Sequence, residues 1–162
     1  MQAQPEFSIR RATLEDAAGI LECLRLAFEP YRKMYSPEGF RDTVLTPDTL
    51  PKRLQTMSVF VAVNARNEII GTIGCAPLPE NASEGHIRGM AVLPEWQGAQ
   101  IALRLLAAAE QILRSAGCRR ASLDTTAPLE RAIRFYTKHG YRASGKVGDF
   151  FGMPLYEYVK DL

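Results

Sequence analysis

The stretch VLPEWQGAQIALRLL, Val92 to Leu106, ends an apolar run at Pro94, turns through Gly98 and enters a helical pattern. The first turn of a helix leaves backbone N–H groups unpaired and carries the positive end of the macrodipole, so this junction suits an anion such as a pyrophosphate. Gly98 lets the backbone approach a ligand, and Ala99 and Ala102 are small. Gln100 adds a side chain that has to swing away, although no positive φ is required of it if it already belongs to the first helical turn. The plainer reading of these residues is a helix N-terminus with an exposed glutamine. Other phosphate loops are excluded, because neither GxGxxG nor GxxxxGKS/GxxxxGKT occurs.

His86 and His139 are the only histidines, and they lie too far apart in sequence to argue a metal site. An imidazole with an ordinary pKa near 6.5 accepts a proton at neutral pH, so His86 suits a general base. A single structural hydrogen bond at a strand start would explain it equally well. His139, beside Gly140, reads as a helix C-terminal charge. Cys23, Cys75 and Cys118 are widely spaced, odd in number and without a CxxC pair, so they read as small core residues. No metal is expected.

These residues need elements to position them. A chain of 162 residues is the usual size of one domain, taken here as residues 1–162. The formal net charge of +2 arises from nearly balanced acids and bases without a long like-charge run, which argues against nucleic acid or an anionic membrane as partner. The stretch MQAQPEF lacks the basic flank and apolar core of a signal peptide, and the apolar runs fall far short of the roughly 20 residues that cross a bilayer. A cytoplasmic location is the resulting expectation.

FSIRRAT alternates as a strand does, and Thr13 followed by Glu15 and Asp16 marks a helix start. Ala17, Ile20, Leu21, Leu24 and Phe28 then form one apolar stripe. The mixed stretch EPYRKMYSPEGFRDT reads as a loop able to line a site, and TPDTLPKRLQTM as a short helix. SVFVAV, EIIGTIGCAPL and HIRGMAVLP predict an antiparallel meander whose turns are NARN and PENASEG. Gly89 inside the third strand signals a bulge or a close approach. A helix from Ala99 to about Ala116, stopped by Gly117, leads to the strand RRASLDTT, which makes a crossover and places the two flanking strands parallel. PLERAIRFYTKHGY is a further helix, and YRASGKV and GMPLYEYVKDL are the closing strand pair.

This order of elements, with the runs MAVLPEWQGAQIA and LERAIRFYTKHGY, resembles the GNAT superfamily of acyl-CoA-dependent N-acetyltransferases over nearly the whole chain. The resemblance implies an α/β (α+β) fold: a central mixed, mostly antiparallel sheet of six or seven strands, helices on both faces, and two splayed parallel central strands. The family pattern of the turn, Gln or Arg, two residues, Gly, one residue, then Gly or Ala, runs here from Gln97 to Ala102. Its first glycine falls on Gln100.

The resemblance also implies acetyl-CoA as acyl donor. Its pyrophosphate would rest on Gln97, Gly98, Ala99, Gln100, Ile101 and Ala102, and its pantetheine arm on the backbone of Met90, Ala91 and Val92. The Met90 N–H would stabilise the oxyanion of the tetrahedral intermediate. Four residues before it, where many members carry a glutamate, stands His86, with Glu84 as the reserve base. Tyr136 occupies the place of the hydroxyl that protonates the leaving thiolate, although it also continues the apolar stripe Leu129, Ala132, Ile133. Leu129 replaces an asparagine common in the family.

The acceptor would be a primary amine of a small molecule, amino acid or peptide. Phe28, Tyr31 and Phe150 are the candidate substrate walls, with Arg32, Tyr35, Phe40, Asp149 and Phe151 nearby in sequence. The resemblance leaves room for a homodimer. The alternative is a non-catalytic acyl-CoA-binding domain used for sensing, to which Gln100, Leu129 and the missing glutamate all point.

Overall fold

The computed structural model describes residues 6–162. The first five residues of the MQAQPEF stretch, read above for a signal sequence, lie outside them. Strands β1 (Phe7–Arg11), β2 (Ser58–Asn64), β3 (Ile69–Leu78), β4 (Asn81–Val92), β5 (Arg120–Thr126), β6 (Arg142–Phe150) and β7 (Met153–Asp161) join one sheet in the order β1-β2-β3-β4-β5-β7-β6. Every neighbouring pair is antiparallel except β4 and β5. This is the mixed, mostly antiparallel sheet expected, at the upper end of six or seven strands.

Helices α1 (Ala17–Phe28), α2 (Pro37–Val44) and α3 (Leu50–Thr56) cover one face of the sheet, and α4 (Ile101–Ser115) and α5 (Glu130–Lys138) the other. The period-2 alternation of β2 sorts its side chains accordingly: Val59, Val61 and Val63 join Ile20, Leu24 and Phe28, while Ala62 joins Leu105, Ala109 and Leu113. One charged side chain lies deep under α4. Glu110, only 6% exposed, accepts from the Tyr141 hydroxyl at 2.8 Å and from Lys160 Nζ at 3.0 and 3.1 Å, tying α4 to β7 and to the chain beyond α5. At the other end, Asp16 accepts from Arg10 at 2.7 and 2.8 Å and from the Thr13 N–H at 2.8 Å, which fixes the start of α1.

Several boundaries differ from the sequence reading, among them that β6 runs on to Phe150 and α5 begins at Glu130. The supposed turn PENASEG is mostly strand, because β4 already begins at Asn81. The supposed loop from Glu29 to Thr43 is helical: a 3-10 segment Glu29–Met34 leads to α2, whose Ser36 cap accepts from the Gly39 N–H at 3.2 Å ahead of Pro37. Finally, α4 begins at Ile101 rather than Ala99, which leaves Ala99 and Gln100 in the turn.

Candidate active site

The site is opened by the strands themselves. β4 and β5 pair only from Glu84–Arg120 to Ile87–Leu123, and from Arg88 onward β4 has no partner on that side. On its other edge the register with β3 slips between Thr72 and Gly74, so that Gly89 and Met90 together face Ile73. That is a bulge, and Gly89 takes the positive φ of 65° that glycine accepts without strain. The strands therefore part toward their C-terminal ends, and a cleft of about 740 Å3 runs between them to the start of α4.

Of the residues expected to hold the acyl donor, Met90, Ala91, Val92, Gln97, Gly98, Gln100, Ile101 and Ala102 line the cleft, whereas Ala99 packs against the core beneath it. In the turn, the N–H groups of Gly98, Gln100, Ile101, Ala102 and Leu103 have no backbone acceptor among the described residues; the first helical bond is Arg104 N–H to Gln100 C=O at 3.1 Å. The expectation about Gln100 is corrected here. It precedes the helix and adopts φ 66°, ψ 14°, the left-handed conformation that favours glycine, with Gly98 at φ 90° two residues earlier. Arg131 of α5 donates to Gln97 Oε1 and brings a cation beside the turn.

Tyr136 projects from α5 to the cleft wall, 7% exposed, edge-on to Phe135 and Tyr141 with ring centroids 5.5 and 5.7 Å away. Burial pushes its phenol well above the usual tyrosine range, which keeps the hydroxyl protonated.

His86 lies on the opposite wall, half-buried. The Ser122 hydroxyl lies 3.3 Å from the Gly85 carbonyl and 3.1 Å from His86 Nδ1; when its one proton points to the carbonyl, it accepts from the imidazole Nδ1–H. This leaves Nε2 as the basic nitrogen, 3.6 Å from Asp124 Oδ2. Burial lowers the imidazole pKa and Asp124 partly restores it; burial likewise raises Asp124. The ring is thus neutral at pH 7, and any proton it gains meets a carboxylate. Ser, His and Asp in a row suggest a nucleophile line, but Ser122 is 3% exposed and outside the cleft wall, so it orients the ring. Glu84, held ready as the other base, is engaged by Arg120 at 2.8 Å beside the closed part of the strand pair and does not line the cleft.

Phe28, Tyr31 and Phe150 wall the cleft on the side of α1 and the β6–β7 hairpin. Tyr35 joins them, its hydroxyl 2.8 Å from Thr126 Oγ1 and its ring edge-on to Phe150 at 6.3 Å. Arg32 instead pairs with Glu29 and covers the Phe40 ring at 4.1 Å, away from the cleft.

The sequence model described as the Acetyltransferase (GNAT) family matches residues 20–141. The chain belongs to this family. It is 31% identical over 150 residues to an aminoalkylphosphonate N-acetyltransferase of Salmonella typhimurium, covering 86% of this chain and 88% of the relative. It is 29% identical over 162 residues to an aminoglycoside N(6')-acetyltransferase type 1 of Stenotrophomonas maltophilia, covering 91% and 94%. Among solved structures, the PaiA N-acetyltransferase of Thermoplasma acidophilum, in complex with coenzyme A, superposes with a TM-score of 0.78 at 21% identity over 97% of this chain and 99% of that one.

Asp124, Arg131 and Arg53 of this GNAT cleft, and Ser122 behind its wall, are residues the sequence reading did not single out. Asp124 and Ser122 alternate on β5 and share the His86 face only through the parallel register. Arg53 reaches the cleft from α3. No spacing in the sequence joins residues so distant.

Proposed function

We propose that this GNAT protein transfers an acetyl group from acetyl-CoA directly to the primary amine of a small acceptor. The observation that carries the reading is the parting of β4 from β5 at a bulge, with His86 on one wall and Tyr136 on the other. The residues present fit the donor: free main-chain groups on β4 suit an amide-bearing arm, and five unpaired N–H groups with Arg131 suit a pyrophosphate. Acetyl-CoA supplies an activated acyl thioester. Met90, Ala91 and Val92 hold its arm, and the Met90 N–H steadies the carbonyl oxygen as negative charge develops there.

His86 Nε2 takes the proton that the amine gives up, and Asp124 stabilises the resulting imidazolium. The Tyr136 hydroxyl gives a proton to sulfur. The bond made is the amide C–N and the bond broken is C–S, so one proton leaves nitrogen as another reaches the thiol. Direct transfer is favoured because Cys23, Cys75 and Cys118 are buried, outside the cleft, and burial raises their thiols, to about 12 for Cys23 and about 11 for Cys75. Relatives named for an aminoalkylphosphonate and an aminoglycoside support an amine as acceptor. The test is to mix purified protein, acetyl-CoA and a panel of amines. Thiol release that depends on the amine and matches the acetylated product supports the reading; tight acetyl-CoA binding without release from any amine assigns the chain a binding role instead.

A further inference from the structure

One cation of the acceptor wall has no partner. Arg53 of α3 extends its guanidinium so close to the bulge that a Cβ on Gly89 would lie 2.6 Å from Nη1, one residue from the Met90 main chain. No side-chain hydrogen bond or ion pair engages the Arg53 guanidinium among the described residues; its neighbour Arg88 pairs with Asp42 at 3.4 Å, and the Asp124 carboxylate lies 3.6 Å from the neutral His86 ring. Desolvation and then the Arg88 charge lower the Arg53 pKa to about 10, with Asp42 opposing, so the group remains cationic at neutral pH. A guanidinium has five donors and no acceptor role, and this one, half-buried on the cleft wall, turns donors without a protein partner toward whatever occupies the cleft. The aromatic side chains Phe28, Tyr31, Tyr35 and Phe150 complete this wall and offer no anion.

We propose that Arg53 binds an anionic group on the acceptor, so that the preferred substrates are short aminoalkyl oxyanions: a primary amine joined by a brief aliphatic spacer to a carboxylate, phosphonate or phosphate. The spacer is short because adjacent strand residues are only about 3.3 Å apart, and Arg53 contacts the residue next to the reaction centre. The fork of donors matches two oxygens of such a group at once. An acceptor with a second positive charge would instead meet Arg53 and Arg88 together. The proposal rests on the acetyl-transfer reading for the identity of the cleft, but the unpaired cation is a separate observation.

The test therefore has a binding arm and a turnover arm. In the first, 2-aminoethylphosphonate, β-alanine and n-propylamine are titrated calorimetrically into the parent protein, Arg53→Gln and Arg53→Lys. In the second, the same amines are acetylated by each protein. Charged hydrogen bonds of this kind correspond to about a ten- to hundredfold preference, so the parent should favour one or both oxyanions over propylamine by that factor, chiefly in KM. Arg53→Gln should collapse the ratio toward one, and Arg53→Lys should restore part of it. Phosphonate and carboxylate are told apart by which of the two shows the larger ratio. Arg53-dependent oxyanion binding without turnover supports the anion site and rejects the transfer reading. Turnover with equal preference for propylamine, or equal losses on every acceptor in Arg53→Gln, overturns the anion site and leaves transfer standing. Absence of both binding and turnover overturns both.

Discussion

The wall of the cleft toward α4 is built of main chain, whereas the wall toward α1, α3 and β5 is built of side chains. On the first, what faces the cleft is the unpaired edge of β4 and the free N–H groups of Gly98, Gln100, Ile101, Ala102 and Leu103, for which residue identity matters mainly through backbone shape. On the second, His86, Asp124, Arg53 and the aromatic rings set charge and fit directly. A substitution alters the backbone wall only through the chain's φ and ψ, whereas on the side-chain wall it changes charge or shape at once.

This contrast is broken or sharpened by substitution. The largest effect is expected for His86→Ala, which should lower kcat/KM by about 10²- to 10⁴-fold while leaving acetyl-CoA affinity near that of the parent. In the parent, kcat/KM should fall only on the acid side, below the ordinary histidine range, because burial lowers the His86 pKa and the neutral ring is the active form. Asp124→Asn removes the charge that supports the imidazolium, so that limb should move to still lower pH. A limb that stays in place in either variant would assign proton removal to another group.

Next comes Tyr136→Phe, which keeps the ring between Phe135 and Tyr141 and should lower kcat by about 10²-fold with little change in the melting temperature. Full activity in this variant makes the tyrosine purely structural.

On the main-chain wall the effects should be smaller and fall on binding. A Cβ on Gly98 meets nothing within 4 Å, so Gly98→Val acts through its φ of 90°, a conformation that a β-branched residue adopts at a cost of about 1–3 kcal/mol. Calorimetric titration should show acetyl-CoA binding weakened roughly tenfold, the equivalent of about 1.4 kcal/mol. If Gly98→Val binds as the parent does, the turn only starts a helix.

The smallest effect is expected for Gln100→Gly. A left-handed φ costs an L-residue about 1–2 kcal/mol, so glycine should raise the melting temperature slightly and leave acetyl-CoA affinity equal or better. Loss of binding in this variant alone would make the glutamine side chain a ligand.

Much of the scaffold was legible because it obeys local rules. The alternation of SVFVAV, the glycine in HIRGMAV and the helical spacing after Gln100 gave the meander, the bulge and α4, and the crossover gave the parallel pair. The segment Glu29–Thr43 has the Pro, Gly and charge of a loop, yet it folds as helix, and Ser36-Pro37-Glu38 is its helix-start signal. Gln100 was misplaced by one turn boundary, and the glycine of the family pattern at that position was the available clue. Of the site, the residues on one strand or one turn could be read. Arg53 and Asp124 could not, since they meet Gly89 and His86 only through register and helix docking.

The short ladder between β4 and β5 has one more consequence. A strand edge with free N–H and C=O groups ordinarily invites a strand of a neighbouring molecule, and sheet proteins shield such edges against aggregation. Here the edge from Arg88 to Val92 faces inward, with Ile101 and Ala102 of α4 and Ala132 and Tyr136 of α5 lining the same cleft. A neighbouring molecule's strand would have to thread between the two strands and their covering helices to pair with it. The geometry that opens the sheet thus keeps inside the molecule a template that would be hazardous at its rim.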